Sequence, residues 1–306
     1  VIPLILALYV MPMFAQNIAV AHISKLSDNS PSFITVGATR SISYYSDATT
    51  WKSTIGLRNL SVAEPLGYIS RTRDITYSSE NTTYMLINSS GIYNLSGYIW
   101  VSEDIGILIA NTSNVAIYPT NEGGIVGQGS TVGIFIINCT NVTIFNITIK
   151  DFEYAIYAVN SSDIVMTELT IKYPETGVVV KNVQNVTFET TQILFSSSLC
   201  VGFSAYNTTN IEIELVTFGA DAYPAIELSR TRNVFINHVR INSPFWGVYV
   251  VHASNVTIKN YIFTSPEIAI YVSSADNLSL INGDIKNTKS SFLYLYQSAS
   301  NIVVEN

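Results

Sequence analysis

Charged residues are scarce in this chain of 306 residues. Lys and Arg number 15, Asp and Glu number 22, and together they make up 12% of the sequence, against roughly 25% in a typical soluble domain. The net charge is −7. A protein that binds nucleic acid needs clustered Lys and Arg to displace the counterions of the phosphates. The composition therefore argues against a nucleic-acid partner.

Cysteine and histidine are also rare. Two Cys are too few for a disulfide scaffold, a zinc ribbon or an iron–sulfur site, and the three His are scattered along the chain. We therefore expect no metal and no cofactor. Cys139 and Cys200 fall at different positions of the repeat described below and more than two repeats apart, so we predict two free, buried thiols.

The abundant residues are uncharged polar and apolar ones. The chain contains 27 Asn, 35 Ser, 28 Thr and 19 Tyr, and 48% of its residues are hydrophobic. Such a chain has too much apolar material to stay disordered. It predicts a folded protein with a large, uncharged β surface.

The chain begins with an apolar segment, residues 1–23, in which residues 1–21 carry no charge. The stretch 1–15 is short for a membrane span of about 20 residues. Three interpretations stay open: the core of a signal peptide whose basic start is missing, a retained hydrophobic anchor as in proteins resembling archaeal type IV pilins, or a buried apolar element. The second predicts membrane contact by residues 1–21.

Residues 24–87 are less regular and hold six of the 15 Lys and Arg residues, including Arg40, Arg58, Arg71 and Arg73. We predict a small β capping or docking region ahead of the repeat. We also expect this protein to form a homo-oligomer, or to join other subunits of a surface assembly, through residues 1–87. In that assembly these Arg face acidic groups of a partner.

Internal periodicity dominates the rest of the sequence. A pattern of Asn or Asp, an aliphatic residue, any residue and an apolar residue recurs every 22–27 residues. Its first positions are Asn114, Asn141, Asp163, Asn185, Asn210, Asn233, Asn255, Asn277 and Asn301. Each opens a run with strand-like alternation, and a second polar position, most often Asn, precedes it by three residues.

A period near 22 with short strands is typical of one coil of a parallel β-helix. Coils stack about 4.8 Å apart, so equivalent side chains form columns. Asn suits such a column because its amide both donates and accepts, and because Asn tolerates a left-handed backbone at a sharp corner. We therefore predict two ladders of Asn side chains along one corner, pointing inward.

Residues 88–170 resemble a known superfamily. The segments Gly91–Ser96, Asn114–Ile117, Gly124–Gly129, Gly133–Ile137 and Asn141–Asn146 are similar to the first coils of right-handed parallel β-helix repeat proteins of the NosD-like type. The resemblance extends over residues 88–306 and implies an all-β fold, a right-handed parallel β-helix. It implies little about function, since the superfamily includes copper-maturation factors, polysaccharide-active enzymes, adhesins and viral tailspikes.

The last segment, 301–306, stops in mid-coil. An uncovered coil exposes apolar core and a strand edge. We therefore expect the helix to continue beyond residue 306 or to be capped by a partner.

Thirteen Asn-x-Ser/Thr sequons occur in the chain, which is typical of an exported glycoprotein. Eight of them coincide with the repeated corner, where an inward Asn cannot carry a glycan. The remaining five are the predicted glycosylation sites: Asn59, Asn81, Asn88, Asn94 and Asn146.

Counting residues from the repeated anchor positions identifies a pair of carboxylates. Glu189 and Glu214 each lie four residues after their anchors, with Glu212 beside them, so we expect Glu189 and Glu214 to stack one coil apart. A like-charged pair at about 4.8 Å could act as acid and nucleophile or base, or hold Ca²⁺. The alternative is a solvated acidic patch balanced by Lys259.

The loops that follow the anchor strands combine aromatic rings with carboxylates. Rings bind the apolar faces of sugars and carboxylates accept hydrogen bonds from their hydroxyls. The alternative is a set of surface loops rich in Tyr. The candidate ligand-binding residues are Tyr154, Tyr173, Asp221, Tyr223, Trp246 and Glu267.

Two classes of function follow from these features. The first is a non-enzymatic, extracellular attachment or structural protein on a virion or archaeal cell surface: a glycosylated tailspike- or adhesin-like rod that binds surface glycans, or a pilus or S-layer building block. The expectation of an archaeal source rests on a likeness in composition to the surface and viral proteins of thermophilic archaea. The second is an extracellular polysaccharide lyase or glycoside hydrolase on the same scaffold.

Overall fold

The computed structural model describes residues 22–23, 34–36, 83–119, 122–196, 200–220, 222–242, 244–297 and 299–305. All regular elements within these ranges are β-strands. They pair in parallel into three sheets, here called A, B and C, that surround one core.

Sheet B contains β2 (Ile34–Val36), β3 (Thr83–Ile87), β6 (Ile105–Ala110), β9 (Val132–Ile137), β12 (Tyr154–Val159), β15 (Thr176–Lys181), β18 (Val201–Tyr206), β21 (Ile226–Ser229), β24 (Trp246–Val251), β27 (Ile268–Ser273) and β30 (Ser291–Tyr296). Sheet A contains β1 (His22–Ile23), β4 (Gly91–Leu95), β7 (Ser113–Pro119), β10 (Thr140–Phe145), β13 (Ser162–Thr167), β16 (Gln184–Glu189), β19 (Thr209–Glu214), β22 (Arg232–Asn237), β25 (Ser254–Lys259), β28 (Asp276–Ile281) and β31 (Ser300–Glu305). Sheet C contains β5 (Tyr98–Val101), β8 (Gly124–Gly127), β11 (Thr148–Lys150), β14 (Thr170–Lys172), β17 (Gln192–Leu194), β20 (Thr217–Phe218), β23 (Arg240–Asn242), β26 (Ile262–Thr264) and β29 (Asp284–Lys286).

From Thr83 onward the chain visits the sheets in the order B, A, C, and each visit adds one strand beside its predecessor. Nine complete coils run from β3 to β29, and β30 and β31 begin the next. The predicted all-β parallel β-helix is confirmed.

The core follows from the alternation within each strand. In strand β12, Ile156 and Ala158 point inward and are fully buried. Parallel pairing repeats this position from coil to coil, so one column of sheet B holds only Ile, Val, Phe and Leu, from Ile107 to Leu293. Complete burial of one such side chain contributes about 1.5–3 kcal/mol, and the stacking of columns makes the core continuous along the rod.

The corner between sheets B and A is built by the two predicted polar columns. Asn138 and Asn141 both adopt left-handed backbone, with φ of 52° and 56°. The same conformation recurs at both positions in the later coils, including Asn182 and Asn185. Asn is the residue other than Gly that enters this region at least cost, which explains its recurrence at this corner.

The side chains of these columns form ladders. In the anchor column, Asn210 Nδ2 donates to Asn185 Oδ1 at 2.8 Å, and Asn185 Nδ2 donates to Asp163 Oδ1 at 2.7 Å. In the other column, Asn182 Nδ2 donates to Asn160 Oδ1 at 3.0 Å. The predicted ladders are thereby confirmed.

Their orientation differs from the expectation. We expected the ladder side chains to point inward, yet Asn138, Asn185 and Asn210 are exposed. The left-handed residue forms the outside of the corner, and the position between the two columns turns inward instead: Cys139 there is 2% exposed. Both Cys139 and Cys200 are buried free thiols, as predicted.

A second polar corner joins sheets A and C and was not predicted. Left-handed residues occupy it in seven successive coils, and Asn282, Asn260 and Asn237 form a short ladder beside it. The residues that hold the left-handed position are Asn146, Glu168, Thr190, Leu215, His238, Asn260 and Asn282.

The ends of the helix also differ from the expectation. The first strand of the coil begins at Thr83 instead of residue 88. Strands β1 and β2 pair with β31 and β30, at the C-terminal end of the helix, whereas we expected residues 24–87 to lie ahead of the first coil. The backbone of β30 and β31 needs partners beyond the last coil, and β1 and β2 supply them.

Candidate functional site

Three aromatic residues meet where the loops from sheet C enter sheet B. Tyr223, Phe245 and Trp246 contact one another with ring centroids 4.7–5.9 Å apart. Backbone hydrogen bonds between coils hold their loops together: Phe245 N donates to Ala222 O at 2.9 Å, and Glu267 N donates to Pro244 O at 3.2 Å. The aromatic cluster, as we call these three residues, therefore rests on rigid, stacked loops.

The cluster presents one ring to solvent and buries another. Phe245 is 47% exposed, Tyr223 is half-buried and Trp246 is 1% exposed. Phe245 is thus available for contact, while Trp246 supports it from below. Half-buried Glu267 lies on the next coil.

The rings continue across sheet B as a stacked band. Trp246, Tyr249, Tyr271 and Tyr294 follow one another with centroids 4.8–5.5 Å apart and interplanar angles of 7–21°. Tyr249 and Tyr271 occupy equivalent positions in β24 and β27, and Tyr294 in β30. Stacked rings of this kind add roughly 0.5–1.5 kcal/mol per pair beyond burial, so the band stiffens this side of the rod.

The candidate ligand-binding residues are only partly brought together. Tyr223 and Trp246 touch, and Glu267 is one coil away. Tyr154 lies four coils from Trp246, and the prediction that it binds a ligand is corrected, because its side chain is 2% exposed and packs edge-on against Tyr157. The prediction rested on its place among the loops after the anchor strands, and the sequence carries no signal that other side chains cover it.

The other two candidates separate from the cluster. Tyr173 is 44% exposed and lies beside Lys150, on the side of sheet C. Asp221 lies outside the described residues.

The predicted carboxylate column is confirmed in its register. Glu189 in β16 pairs directly with Glu214 in β19, and Glu212 points outward two residues earlier in the same strand. Glu214 accepts a hydrogen bond from Asn237 Nδ2 at 2.8 Å, and its Oε1 lies 3.8 Å from His238 Nδ1. Glu214 is therefore held by neutral and basic neighbours, which suits a structural carboxylate as well as a reactive one.

A buried carboxylate on sheet B was missed. Glu227 in β21 is 3% exposed, and Ser204 Oγ in β18 donates to its Oε2 at 3.1 Å. The alternation of Ile226-Glu-Leu-Ser shows only that Glu227 points away from the core. Its burial depends on packing outside the sheet, for which the repeat gives no signal.

The ladder sequons line a polar trough of about 570 Å³ along the B–A corner, with Asn138, Asn160 and Asn207 among its residues. Of the five predicted glycosylation sites, Asn88, Asn94 and Asn146 are exposed. Asn59 and Asn81 lie outside the described residues.

Two further properties bear on ligands and location. The described ranges contain no group of three or more His, Cys, Asp or Glu residues placed to hold a metal ion. They also contain no helix of the length and apolarity needed to cross a membrane, and residues 1–21 are outside them.

Comparison with known proteins agrees with the fold. The family model described as the right handed beta helix region matches residues 105–253. Among curated proteins, none matches the sequence.

Solved structures with the same fold include bacteriophage proteins. The chain is similar to tailspike protein 2 from Escherichia coli O157:H7 bacteriophage CAB120, with a TM-score of 0.60 and 12% identity over 73% of this chain and 38% of that one. It is also similar to a mutant tailspike of E. coli bacteriophage HK620 in complex with a pentasaccharide, with a TM-score of 0.55 and 12% identity over 73% of this chain and 56% of that one.

A third similar structure is the surface adhesin PfbA of Streptococcus pneumoniae, with a TM-score of 0.45 and 11% identity over 61% of this chain and 64% of that one. The chain thus spans about two fifths to two thirds of the proteins it resembles in structure. At these identities the likeness concerns the fold. The nine coils, together with the family model matched over residues 105–253, show that the chain has the fold of a right-handed parallel β-helix.

Proposed function

We propose that the protein is a non-enzymatic attachment protein, a stiff β-helix rod on the surface of a virion or archaeal cell that binds glycans. The observation that carries this proposal is the aromatic cluster. Phe245 offers an exposed ring on a rigid support, and Glu267 is one coil away. The ring can stack on the apolar face of a sugar, and the carboxylate can accept hydrogen bonds from the sugar hydroxyls. This combination suits carbohydrate recognition. The pentasaccharide complex of the HK620 tailspike supports the proposal by analogy of fold.

Binding of the full chain to an array of surface polysaccharides tests this function. Phe245→Ala should weaken binding about tenfold, which corresponds to about 1.4 kcal/mol. Leu215→Ala is the matched control, since Leu215 is also a large exposed apolar residue (54%) but lies at the A–C corner. Equal losses in both variants, or no binding of any glycan, would contradict the proposal.

A polysaccharide lyase or hydrolase is the second candidate, and the register of Glu189 with Glu214 favours it. Product analysis on a panel of polysaccharides, with Glu189→Gln as the test and Glu168→Gln as an exposed control at the A–C corner, distinguishes the two functions. Depolymerisation that Glu189→Gln abolishes and Glu168→Gln retains would establish the enzyme. Activity unchanged in Glu189→Gln would remove this carboxylate from any reaction.

We also propose that the rod is glycosylated at Asn88, Asn94 and Asn146. These three side chains are exposed and stand outside the two ladders of the B–A corner. Ladder Asn residues have an Nδ2 that already donates to the next coil, and glycans on neighbouring rungs about 4.8 Å apart would collide. Mass spectrometry of the protein from its natural source checks the occupied sites, and glycans confined to ladder positions would overturn this assignment.

Assembly through residues 1–87 is the remaining part of the proposal, and it includes membrane contact by residues 1–21. Deleting residues 1–24 removes β1 from its pairing with β31 and should leave the nine coils from β3 to β29 folded, because their contacts are local to neighbouring coils. The deletion should convert the assembly to smaller species in light scattering. A truncated chain that assembles like the full chain would move the contact to the helix itself.

A further inference from the structure

Sheet C carries a groove on its outer face near the start of the helix. It has a volume of about 580 Å³ and lies across strands β5, β8, β11 and β14. Its aromatic and basic lining residues are Tyr98, Trp100, Tyr173, Lys150 and Lys172. Of these residues, only Tyr173 was predicted from the sequence as a ligand-binding residue. The groove combines side chains from several strands and coil positions, so its lining leaves no repeated pattern in the sequence.

Three of the lining side chains are large, apolar and exposed. Trp100 is 62% exposed, Tyr98 is 49% exposed and Tyr173 is 44% exposed. Tyr98 and Trp100 are two residues apart in β5, so both project from the same face of the sheet. Large apolar side chains that are exposed side by side commonly mark a site of contact with a ligand or another molecule.

Two lysines stand beside the rings. Lys150 pairs directly with Lys172 in the next coil, so the two side chains start about 4.8 Å apart. Lys150 Nζ lies 3.1 Å from Asp151 Oδ2 and 5.7 Å from the centre of the Tyr173 ring. Lys172 makes no ion pair with a described carboxylate. In a chain with a net charge of −7, this groove is locally basic.

A glycine lies in the sheet beside the groove. Gly124 stands between Tyr98 and Thr148 in the same column. A Cβ at this position would overlap the carbonyl oxygen of Thr148. Glycine is therefore required here so that the backbones of β8 and β11 can pair closely beneath the groove.

We propose that this groove binds an anionic saccharide. A pyranose ring stacks on Trp100 or Tyr98, and its carboxylate or sulfate group contacts Lys172, whose charge no described carboxylate neutralises. Thr148 offers a hydroxyl for a sugar oxygen. Ring stacking with a charge-assisted hydrogen bond selects acidic over neutral sugars. The inference rests on the proposed function in taking the rod to bind glycans, and it names a second site and its ligand class.

Calorimetric titration of the full chain with three oligosaccharides of equal length tests the proposal: an oligogalacturonate, a sulfated galactan fragment and a neutral galactan fragment. Lys172→Met keeps the stem of the side chain and removes its charge. It should weaken binding of the acidic ligands about tenfold and leave the neutral ligand unchanged. Lys259→Met removes the same charge from sheet A and is the matched control.

Trp100→Leu should weaken binding of acidic ligands about tenfold as well, because stacking is lost while an apolar side chain remains. Comparison of oligogalacturonate with the sulfated fragment identifies the anionic group. Acidic ligands bound equally by Lys172→Met and Lys259→Met would overturn the proposal. So would a change of oligomeric state in Trp100→Leu without a change in affinity, since the rings would then form an interface between copies.

The two proposals fail in different ways. Glycan binding that depends on Phe245 and not on Trp100 or Lys172 removes the groove and leaves the proposed function. Acidic-ligand binding that depends on Lys172 and not on Phe245 establishes the groove and removes the aromatic cluster.

Discussion

Replacement of Asn185 by Ala measures the contribution of the Asn ladder. Asn185 donates to Asp163 at 2.7 Å and accepts from Asn210 at 2.8 Å. Both contacts are exposed, so each contributes about 0.5 kcal/mol, at the low end for hydrogen bonds. Asn185 also has a φ of 58°, and forcing Ala into this conformation costs about 1–2 kcal/mol. The total loss is about 2–3 kcal/mol.

Urea and thermal unfolding followed by circular dichroism provide the assay. For an ordered region of this size the loss corresponds to a fall in Tm of roughly 5–10 °C. Asn94→Ala is the matched control, because Asn94 is exposed in β4 and makes no hydrogen bond through its side chain to a described residue. Its midpoint should change little.

A glycine variant separates the two contributions. Asn185→Gly loses both hydrogen bonds but accepts the left-handed backbone without steric cost, so its midpoint should lie between those of Asn185→Ala and the wild type. If Asn185→Ala and Asn94→Ala unfold at the same midpoint, the ladder contributes nothing and the reasoning fails. If the glycine variant is as unstable as the alanine variant, the backbone part of the argument is wrong.

The remaining predictions concern buried positions. Cys139 and Cys200 should resist thiol reagents in the native protein, and burial also raises the pKa of the Cys139 thiol, so its modification should need a higher pH than that of an exposed thiol; a native 139–200 crosslink in mass spectrometry would contradict the coil register. Gly202→Ala should lower the urea midpoint sharply, because a Cβ there would overlap the Phe218 ring and the carbonyl oxygen of Ala225 in the next coil; an unchanged midpoint would show that both the ring and this backbone shift at little cost. Ser204→Ala should cost about 1–3 kcal/mol by removing a donor from the buried Glu227 carboxylate, and a wild-type midpoint would show that its other contacts suffice.

The features that were predicted well from the sequence are those that recur in every coil because the coils stack in register. A parallel β-helix repeats one backbone geometry, so equal distances from the anchors become pairs in register. This is why the pairing of Glu189 with Glu214 and the ladder through Asn185 followed from counting residues. The A–C corner repeats the same geometry with Glu168, Thr190 and Leu215, and without a shared residue type it left no visible pattern.

Features that depend on the space outside a sheet were not predictable in this way. Tyr154 lies outside the main core with Tyr157, and the alternation of β5 directs Trp100 away from the core. One is 2% exposed and the other 62%, because exposure depends on what packs over each position. The groove on sheet C has the same origin, since it combines side chains from coils of different sequence. The inward direction assumed for the ladder was wrong because a left-handed corner residue lies on the outer side of the turn.

The direction of the amides in the anchor column has an electrical consequence. From Asn141 to Asn277, each Nδ2 that donates along the column does so to the coil before it and never to the coil after. Parallel dipoles in a line add, as the peptide dipoles of an α-helix do, and hydrogen-bonded chains polarise one another further. The unbroken series of amides from Asn185 to Asn277 therefore places partial positive charge against the Asp163 carboxylate and partial negative charge toward the last coil, so this corner of the rod is electrically polar although its coils are nearly alike.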